Sequence, residues 1–588
     1  MCDPFTGNWI TYNGEIYNYR ELRNELGGNH EPLGQANEVS GEGGKGWRSR
    51  TDTEVLLKAY VRWGRNFLHR LRGMFAFAIW DGGERELFLA RDRLGIKPLY
   101  YYAGEGFFLF ASEVRALLAS GLVPRQVDPV AVWEYLAYQS VPAPRTIIEG
   151  VRMLPPGSWL TVDTDGRIAE GRYWDLLEHA SPEARVATTA DCRVRVEELL
   201  RESVALHLVS DVPLGAFLSG GIDSSAVVAL MREAGAVPQT FSVVFSERPY
   251  DEAEYAQEVA ARFRTDHAEL LLKERDLLGQ LPEALAAMDQ PTGDGVNTYV
   301  ISRAVREAGM KVALSGLGGD EFFAGYPSFA RLGRAASCLR LWGRAPGPLR
   351  ALAGRAARIL GRSSVQAAKA GGILESDGTL PNLLTLMRQV LSPAQCRALL
   401  TEAWLQRLGA IQDPYVPLLE EAYTSAPAAG MLARISYAEG RTYMHDVLLR
   451  DTDQMSMAHG LEVRVPLLDH KLVEYLMGLP DACKRSNGTP KRLLVESLDG
   501  LLPARIVHRP KRGFTLPFDP WMRGPLREFC EERLAPERIG GRGIFRPDQV
   551  QELWQSFLMR HRDVAWSHLW ILVSLEEWLQ RNQVICEG

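Results

Sequence analysis

The sequence contains no apolar run approaching the roughly 18 residues that a membrane-spanning helix requires, so no membrane span is predicted. Its seven cysteines are scattered and include no Cys-x-x-Cys pair, which excludes the common zinc spacing and an even disulfide framework. The first residues also lack a basic segment followed by an apolar one, so no secretory signal is recognised. We therefore expect a cytoplasmic protein.

An excess of charge of one sign is missing as well. The chain has 67 Lys and Arg against 73 Asp and Glu, interspersed along its length, with a formal net charge of −6. Proteins that bind nucleic acid carry a basic footprint, and this composition has none. The predicted partners are small molecules, with no nucleic acid and no membrane. The oligomeric state stays open, with a homodimer as the candidate.

The 588 residues fall into two regions of different pattern. Short apolar segments separated by Gly- and Asp-rich turns predict a β-rich domain over residues 1–175. A polar linker over 176–190 follows. Over 191–588, short apolar segments alternate with helical ones, a pattern typical of an α/β domain with a parallel sheet. Residues 29–46 are polar, Gly-rich and aperiodic and are predicted to form a mobile insertion.

The sharpest motif is SGGIDSS, residues 219–225, between an apolar strand and an Ala/Val-rich helix. Two glycines allow the backbone to approach an anion, and the helix N-terminus and serine hydroxyls can donate to it. The lysine that ends a Walker A loop is absent. The loop therefore suits pyrophosphate as a leaving group and cleavage between the α- and β-phosphates. The alternative is a strand-to-helix turn without a ligand.

Three later motifs accompany this loop: SGLGGDE at 315–321, RDTDQMSMAHGLEVRVPLLDHKLVE at 450–474 and HRPKRGF at 508–514. In this order they resemble the synthetase domain of the glutamine-hydrolysing asparagine synthetase family of the B type. The resemblance implies an α/β ATP pyrophosphatase-type domain with a parallel sheet and many helices. It also implies that ATP adenylates a carboxylate, that AMP and pyrophosphate leave, and that Mg²⁺ takes part.

The resemblance implies a role for individual residues. Asp223 and Asp320 would hold Mg²⁺, a hard cation that prefers oxygen ligands. Lys511 would balance charge as pyrophosphate departs, which is electrostatic stabilisation. Taken without the other motifs, Lys511 is typical of a solvated lysine in a basic run. Arg464 fits a structural ion pair equally well and receives no role. The residues implied to bind ATP are Leu218, Ser219, Gly220, Gly221, Asp223, Ser224, Ser225, Val243, Ser315 and Gly316.

Two positions depart from the pattern of asparagine-forming enzymes. Leu317 stands where many of them carry an acidic residue, and Gln290 stands in Asp-Gln-Pro where Asp-Glu-Pro is commoner. A missing carboxylate near the acceptor removes a candidate general base for the incoming amine. Aspartate is the expected acceptor, but another carboxylate remains open, since related enzymes make other amides or close β-lactams on the same scaffold.

The first region contains a second set of motifs. Asn13-Gly14-Glu15 follows a strand, TDTE at 51–54 begins a helix, and GMFAFAIWD, ARDRLG and ASE come after them. Alone, the first two read as a tight turn and a helix cap. Together they resemble the class II glutamine amidotransferase domain, an N-terminal-nucleophile sandwich of two antiparallel sheets. The resemblance implies that Asn13 and Gly14 form the oxyanion hole and that Asn13, Gly14, Glu15 and Asp52 bind glutamine.

The first two residues, Met1 and Cys2, resemble the start of sequences in that family, in which a terminal cysteine is the nucleophile. Family members place Arg-Gly-Pro-Asp and Arg-Leu-Ser motifs between that cysteine and Asn-Gly-Glu, and here Asn13 leaves no room for them. Cys2 is instead followed by a turn-like sequence. We expect an incomplete sandwich without its first strands, caused by a start site placed at an internal methionine or by a real truncation. We also expect little glutaminase activity, with Cys2 not acting as nucleophile.

The sequence thus predicts a carbon–nitrogen ligase of the asparagine synthase type, which amidates aspartate with ammonia derived from glutamine in the full-length form. One alternative is a relative that amidates another carboxylate or closes a lactam. The other is a non-catalytic subunit, and the intact SGGIDSS and PKRGF motifs argue against it.

Overall fold

The computed structural model describes residues 1–27, 47–245, 253–361, 364–485, 488–509 and 516–586. The insertion predicted at 29–46 lies outside these residues. The strands of the described chain are β1 (Trp9–Ile16), β2 (Gly73–Asp81), β3 (Glu86–Arg91), β4 (Tyr100–Gly104), β5 (Phe107–Ala111), β6 (Arg152–Met153), β7 (Ser158–Asp163), β8 (Ile168–Arg172), β9 (Leu214–Phe217), β10 (Gln239–Phe245), β11 (Asp266–Leu272), β12 (Val312–Leu314) and β13 (Glu462–Arg464).

Helices make up most of the second region. The first part of the chain has α1 (Tyr19–Glu25), α2 (Asp52–Trp63), α3 (Val114–Ala119) and α4 (Pro129–Tyr138). The middle has α5 (Thr189–His207), α6 (Ile222–Glu233), α7 (Ala253–Phe263), α8 (Glu274–Ala287), α9 (Val296–Glu307), α10 (Gly319–Phe322), α11 (Pro327–Trp342), α12 (Gly347–Leu360), α13 (Val365–Glu375), α14 (Leu380–Arg388), α15 (Pro393–Leu399), α16 (Glu402–Leu408), α17 (Tyr415–Ser425), α18 (Met431–Glu439) and α19 (Arg450–Met457). The last part has α20 (His470–Gly478), α21 (Asp481–Lys484), α22 (Arg492–Ser497), α23 (Ala504–Val507), α24 (Phe518–Arg523), α25 (Arg527–Arg533), α26 (Pro536–Gly541), α27 (Pro547–Leu558) and α28 (Trp566–Arg581).

Shorter helices of other types connect these elements. Gly64–Arg70, Glu183–Val186 and Pro466–Leu468 are 3₁₀ helices, and Gly440–Leu449 is a π-helix between α18 and α19. None of the helices within the described ranges combines the length and apolarity needed to cross a membrane.

The first region is a sandwich of antiparallel sheets. One sheet has the order β1-β2-β3-β7-β8 and the other β5-β4-β6. Strand β2 is buried on both faces because its side chains alternate between two cores. Phe75 and Phe77 pack with α2, whereas Ala76 and Ala78 pack against Tyr101 of the second sheet. This confirms the predicted sandwich of stacked antiparallel sheets.

The second region is built on a parallel sheet of the order β11-β10-β9-β12-β13. The carboxyl ends of β9, β10 and β12 therefore lie side by side, and the loop that follows β9 runs directly into α6. An open parallel sheet binds its ligand at this edge, where neighbouring strands end. The structure confirms the predicted α/β domain with many helices; the boundaries at 175 and 191 stay a prediction.

The two regions share buried contacts. Arg72 of the sandwich donates to both carboxylate oxygens of Asp469, at 2.6 and 2.9 Å, and both side chains are buried. Asp289 accepts from the backbone N–H groups of Val114 and Arg115, at 2.9 Å each, and so satisfies the first turn of α3 from the other region. These contacts fix the sandwich against the parallel-sheet region.

Candidate active site

The loop between β9 and α6 has a backbone that only glycine allows at one position. Gly220 has φ +64°, and a Cβ atom there would lie 2.6 Å from Cβ of Tyr255. The loop's serines hold it in place: the backbone N–H of Gly221 donates to Oγ of Ser219, and the hydroxyls of Ser219 and Ser224 are 3.1 Å apart. The first turn of α6 is thereby presented to the sheet edge.

The loop after β12 packs directly on this turn. A Cβ atom at Gly316 would lie 2.8 Å from the backbone N of Ser224, and one at Gly319 would lie 2.2 Å from Oδ1 of Asp223. The N–H of Ser315 donates to the carbonyl of Arg464, which anchors the loop on β13. Two motifs about a hundred residues apart thus form one surface because glycines let their backbones touch.

Asp223 and Asp320 meet at a buried lysine that the sequence reasoning missed. Nζ of Lys491 forms ion pairs with both carboxylates, at 2.8 Å from Oδ1 of Asp320, and its side chain is 6% exposed. Burial alone would lower the pKa of Lys491, but Asp223 and Asp320 outweigh it and the pKa lies above its ordinary value. Lys491 is therefore a fixed cation between the two predicted metal ligands.

These groups face a cavity of about 540 Å³, a size that suits a small-molecule site. Of the predicted ATP-binding residues, Ser219, Gly221 and Asp223 line it, with Asp320 and Lys491 beside them. Leu218 and Ser225 are buried beneath the loop. Val243 lies in β10, and Ser315 and Gly316 come directly after β12. The predicted ATP-binding residues therefore lie together at one edge of the parallel sheet.

Arg509, from the motif at 508–514, contacts the loop that follows β9. Nη1 of Arg509 donates to the carbonyls of Ser219 and Gly220, at 3.3 and 3.0 Å, and its guanidinium lies over the ring of Tyr255. Lys511, for which a catalytic role was predicted, lies outside the described residues. Its role stays a prediction, although Arg509 brings the motif to the cavity.

The lining of the cavity includes a further cation besides Lys491 and Arg509. Arg388 donates from Nε to Glu439 at 2.8 Å and lies over the rings of Tyr326 and Tyr443. Arg388 and Tyr443 also line an adjoining cavity of about 280 Å³, with the residues Tyr138, Gln139, Val365, Lys369, Met387, Gln389, Val390, Tyr415, Thr442, Val447, Ala565, Ser567 and His568. The cavity beside the phosphate loop, residues 219–225, thus shares part of its lining with a second cavity.

The two departures from the family pattern lie away from these walls. Leu317 packs against the main hydrophobic core, and neither it nor Gln290 lines the cavity as formed by the described chain. Gln290 is fully buried: its amide donates to the hydroxyl of Tyr100 and accepts from the N–H of Ile147, both at 3.1 Å. Gln290 thus joins the two regions, and its amide is not a substitute for an acceptor-site carboxylate.

The predicted glutamine-binding residues lie together at the end of β1. Oδ2 of Asp52 accepts from the hydroxyl of Tyr12 at 2.8 Å and from the N–H of Ile16 at 3.1 Å. Nδ2 of Asn13 donates to Oγ of Ser112 at 3.1 Å. A Cβ atom at Gly14 would lie 2.1 Å from the carbonyl oxygen of Met74 in β2, so that position requires glycine.

Glu15 connects this group to the parallel-sheet region. Its carboxylate lies 3.5 Å from Nη2 of Arg464. Burial raises the pKa of Glu15 to about 7, although Arg464 opposes that rise. Arg464 also pairs with Glu462 at 2.7 Å and donates to the carbonyl of Val209, so it has the structural role that the sequence allowed.

Cys2 lies apart from the glutamine-site residues. It forms an antiparallel bridge with Trp9, and the N–H of Ile10 donates to the carbonyl of Met1. Trp9 precedes Asn13 by four residues, which is about 13 Å along an extended strand. Cys2 thus pairs at the start of β1, and the predicted glutamine-binding residues lie at the other end of that strand.

Within the described ranges, no group of three or more His, Cys, Asp or Glu side chains converges as a metal site. Asp223 and Asp320 are two carboxylates on one wall, and their donor chemistry fits a cation that brings further oxygen ligands from phosphates.

Comparison with known proteins agrees with this geometry. The family model for asparagine synthase matches residues 195–580, and the model for a glutamine amidotransferase domain matches residues 1–174. Asparagine synthetase (glutamine-hydrolyzing) 1 of Bacillus subtilis is 32% identical over 527 residues, covering 89% of this chain and 78% of the relative. Asparagine synthetase (glutamine-hydrolyzing) 3 of the same organism is 29% identical over 526 residues, covering 85% and 74%.

A relative of another name is similar over a comparable length. Amidase chyE of Penicillium rubens is 28% identical over 579 residues, covering 92% of this chain and 81% of the relative. The asparagine synthase model covers more than half of the chain, and the first Bacillus enzyme aligns over most of both proteins. The chain therefore belongs to the asparagine synthase family, with a glutamine amidotransferase domain preceding its synthase domain.

Proposed function

We propose that this protein is an ATP-dependent carbon–nitrogen ligase of the asparagine synthase type. It adenylates a carboxylate, releases pyrophosphate, and converts the acyl-adenylate into an amide with ammonia derived from glutamine, leaving AMP. One observation carries the proposal: the loops after β9 and β12, with Lys491 and Arg509, converge on one cavity at the carboxyl edge of the parallel sheet. Family membership supports the use of ATP.

The phosphate loop, residues 219–225, is proposed to bind the pyrophosphate part of ATP. Ser219, Gly220, Gly221, Ser224 and Ser225 belong to the loop and the first turn of α6, where the backbone N–H groups at a helix N-terminus and the helix dipole favour an anion. The adenosine is proposed to lie along the ends of the neighbouring strands, against Leu218, Val243, Ser315 and Gly316. Cleavage then occurs between the α- and β-phosphates because the loop retains the departing pyrophosphate.

Mg²⁺ bound with ATP would be held by Asp223 and Asp320 and would neutralise charge on the phosphates. The chain's own contribution at this point is Lys491, whose ammonium already lies between both carboxylates. A cation fixed beside a departing pyrophosphate stabilises the charge that develops there without reorganising. Lys511 is proposed to add a second such charge, as the family pattern implies.

Glutamine is proposed to bind at the end of β1. Asn13 and Gly14 would donate to the oxyanion, and Glu15 and Asp52 would hold the α-amino group. Asp52 is fixed for this purpose by Tyr12 and the N–H of Ile16, and Asn13 by Ser112.

Aspartate is the first candidate acceptor, as the names of the Bacillus relatives suggest. A larger carboxylate is the second candidate, and the adjoining cavity of about 280 Å³ favours it. Arg388 and Tyr443 belong to both cavities, so an acceptor whose carboxylate lies near the phosphate loop could extend past them.

The test is release of AMP and pyrophosphate by the purified chain with ATP, ammonium and a panel of carboxylates. Ammonium replaces glutamine, so the synthetase half is measured by itself. AMP formed in step with asparagine supports aspartate as the acceptor, and AMP formed only with larger carboxylates supports the second candidate. The same panel with Asp320→Asn tests the site, because this variant should bind ATP poorly with every acceptor. Absence of AMP with every carboxylate would contradict the proposal.

A further inference from the structure

The charge of this chain is segregated in one segment that the average composition conceals. Residues 322–374 contain nine Arg and Lys residues and no Asp or Glu. The formal net charge of the whole chain is −6, so the residues outside this segment carry −15. Such an asymmetry orients a molecule in an electric field and directs one face toward an anionic partner. We call residues 322–374 the basic segment.

The basic segment also exposes a row of aliphatic side chains on α12. Leu349, Leu352, Ile359 and Leu360 are 48%, 65%, 75% and 83% exposed. At 100° per residue, these four positions fall within an arc of about 100° on one helix face. We call this face the aliphatic stripe. The stripe covers one side of a helix that is amphipathic with its apolar side outward.

The opposite face of α12 is the one that packs on the protein. Gly354 is buried, and a Cβ atom there would lie 2.5 Å from Cγ of Glu375 at the end of α13. Arg358 pairs with the Glu375 carboxylate, and Arg350 donates to the carbonyl of Ser376. Two of the segment's arginines therefore hold α12 onto α13 and leave the aliphatic stripe facing away.

Other arginines of the segment make no such contact. Arg340 near the end of α11, Arg344 in the turn before α12 and Arg355 on α12 are all exposed. Each lacks an ion pair with the residues that the structure describes. On the helical projection, Arg355 lies about 40° from the edge of the aliphatic stripe. The guanidinium of Arg355 thus borders the apolar face, those of Arg340 and Arg344 lie on the preceding helix and turn, and no acidic residue of the described chain pairs with any of the three.

An anionic lipid surface suits this combination. Exposed leucine and isoleucine insert at the boundary of the acyl chains, while arginines beside them attract the phosphates of acidic lipids. The fourteen residues of α12 extend about 21 Å, which is less than a bilayer core, so the helix would lie in the plane of the interface.

Other occupants fit less well. Nucleic-acid surfaces rely on polar and aromatic groups beside the cations, and here the neighbours are aliphatic; the indole N–H of Trp342 already donates to the carbonyl of Leu374. A second copy placed by two-fold symmetry would bring like charges together. We propose that α12, through its aliphatic stripe and the arginines 340, 344 and 355, docks this enzyme on membranes that contain acidic phospholipid.

The location of the segment gives this docking a consequence for the enzyme. Helix α11 begins at Pro327, directly after Tyr326 of the cavity wall, and α13 contributes Val365 and Lys369 to the adjoining cavity. The proposed membrane contact is therefore built on the helices that frame the acceptor side of the site.

The experiment measures binding of the full chain to vesicles of phosphatidylcholine alone and to vesicles in which one third is phosphatidylglycerol. We expect at least about tenfold tighter binding to the second kind, weakening as salt is raised. The triple variant R340Q/R344Q/R355Q should lose about a hundredfold in affinity. The triple variant L349S/L352S/I359S should lose at least about tenfold at every salt concentration, because it removes insertion rather than attraction.

Matched controls use exposed residues outside the basic segment. R264Q/R275Q/R560Q removes the same number of charges, and V186S/V237S removes aliphatic side chains that are 85% and 68% exposed. Both should bind like the unaltered chain, and melting temperatures should show that every variant is folded. The proposal is overturned by equal binding to both kinds of vesicle or by losses in the controls that match those in the test variants. It is also overturned if a DNA or RNA oligonucleotide competes the chain off the vesicles, or if the leucine variant changes the oligomeric state.

Discussion

The substitution Lys491→Met tests the centre of the proposed synthetase site. It keeps the length and much of the apolar contact of the side chain but removes the ammonium between Asp223 and Asp320. The lysine is nearly buried, so water does not replace the lost charge directly. Both binding of the ATP phosphates and stability of the free enzyme should therefore change.

The size of each effect follows from the geometry. A unit charge 2.8 Å from a carboxylate oxygen interacts by about 6 kcal/mol at an effective dielectric constant of about 20. Desolvation of the lysine offsets much of this, and both carboxylates keep partial exposure, so we expect a net loss of about 3 kcal/mol in unfolding free energy. Removing one fixed charge from a developing anion lowers the rate by about 100- to 1000-fold.

The assay is AMP formation at saturating ammonium, combined with thermal unfolding with and without Mg²⁺. Lys484→Met is the matched control: Lys484 is also buried, its Nζ has no hydrogen-bond partner among the described residues, and it does not line the cavity. Burial lowers the pKa of Lys484 to about 8, so its removal should leave stability unchanged or higher and activity unchanged.

Mg²⁺ provides a second readout on K491M. If Asp223 and Asp320 hold the cation, Mg²⁺ should raise the melting temperature of K491M more than that of the unaltered chain, because no ammonium competes for the carboxylates. A role for the Lys491 ammonium is refuted if K491M retains its rate of AMP formation, or if K491M and K484M lose activity equally.

Three further predictions concern single positions. Gly316→Ala should abolish ATP-dependent AMP formation, because its Cβ atom would lie 2.8 Å from the first turn of α6; retention of activity would show that the loops can separate. Glu15→Gln should make the protein more stable than the unaltered chain above pH 7 and equally stable below about pH 4.5. Burial raises the pKa of Glu15 to about 7, so ionising Glu15 in the folded protein costs stability. A stability difference that does not change with pH, measured by urea titration, would contradict this. Gln290→Glu should lower the unfolding free energy by about 2 to 4 kcal/mol, because it removes the amide that donates to Tyr100 and buries a charge. The preference for an acceptor should stay unchanged. A new preference for aspartate would refute the structural role of Gln290.

Much of the fold follows from patterns that lie close together in the sequence. The β2 segment GMFAFAIWD is apolar throughout because both of its faces are buried, and the glycines of SGGIDSS mark a strand-to-helix turn. The gathering of residues 219–225 and 315–320 was predictable because parallel strands end at one sheet edge. Local chemistry and sheet topology were sufficient for these elements.

Lys491 could not be found in the same way. It lies in a short segment before α22, has φ +47°, and reaches the site only through tertiary packing that no periodicity encodes. Gln290 was misplaced for the same reason: the family pattern associated its position with the acceptor, whereas its amide lies against Tyr100 of the sandwich. The formal net charge of −6 likewise concealed the basic segment, because composition does not report how charged residues are distributed along the chain.

Adenylation of a carboxylate at the cavity beside residues 219–225 is the step on which the proposed function depends. Its most direct test uses an acceptor whose carboxylate oxygens are oxygen-18, incubated with the purified chain, ATP, Mg²⁺ and ammonium. Adenylation predicts that AMP acquires one oxygen-18 atom for each amide formed, because the acyl-adenylate breaks between the carbonyl carbon and the bridging oxygen. Formation of ADP, with the heavy oxygen in inorganic phosphate, would contradict it.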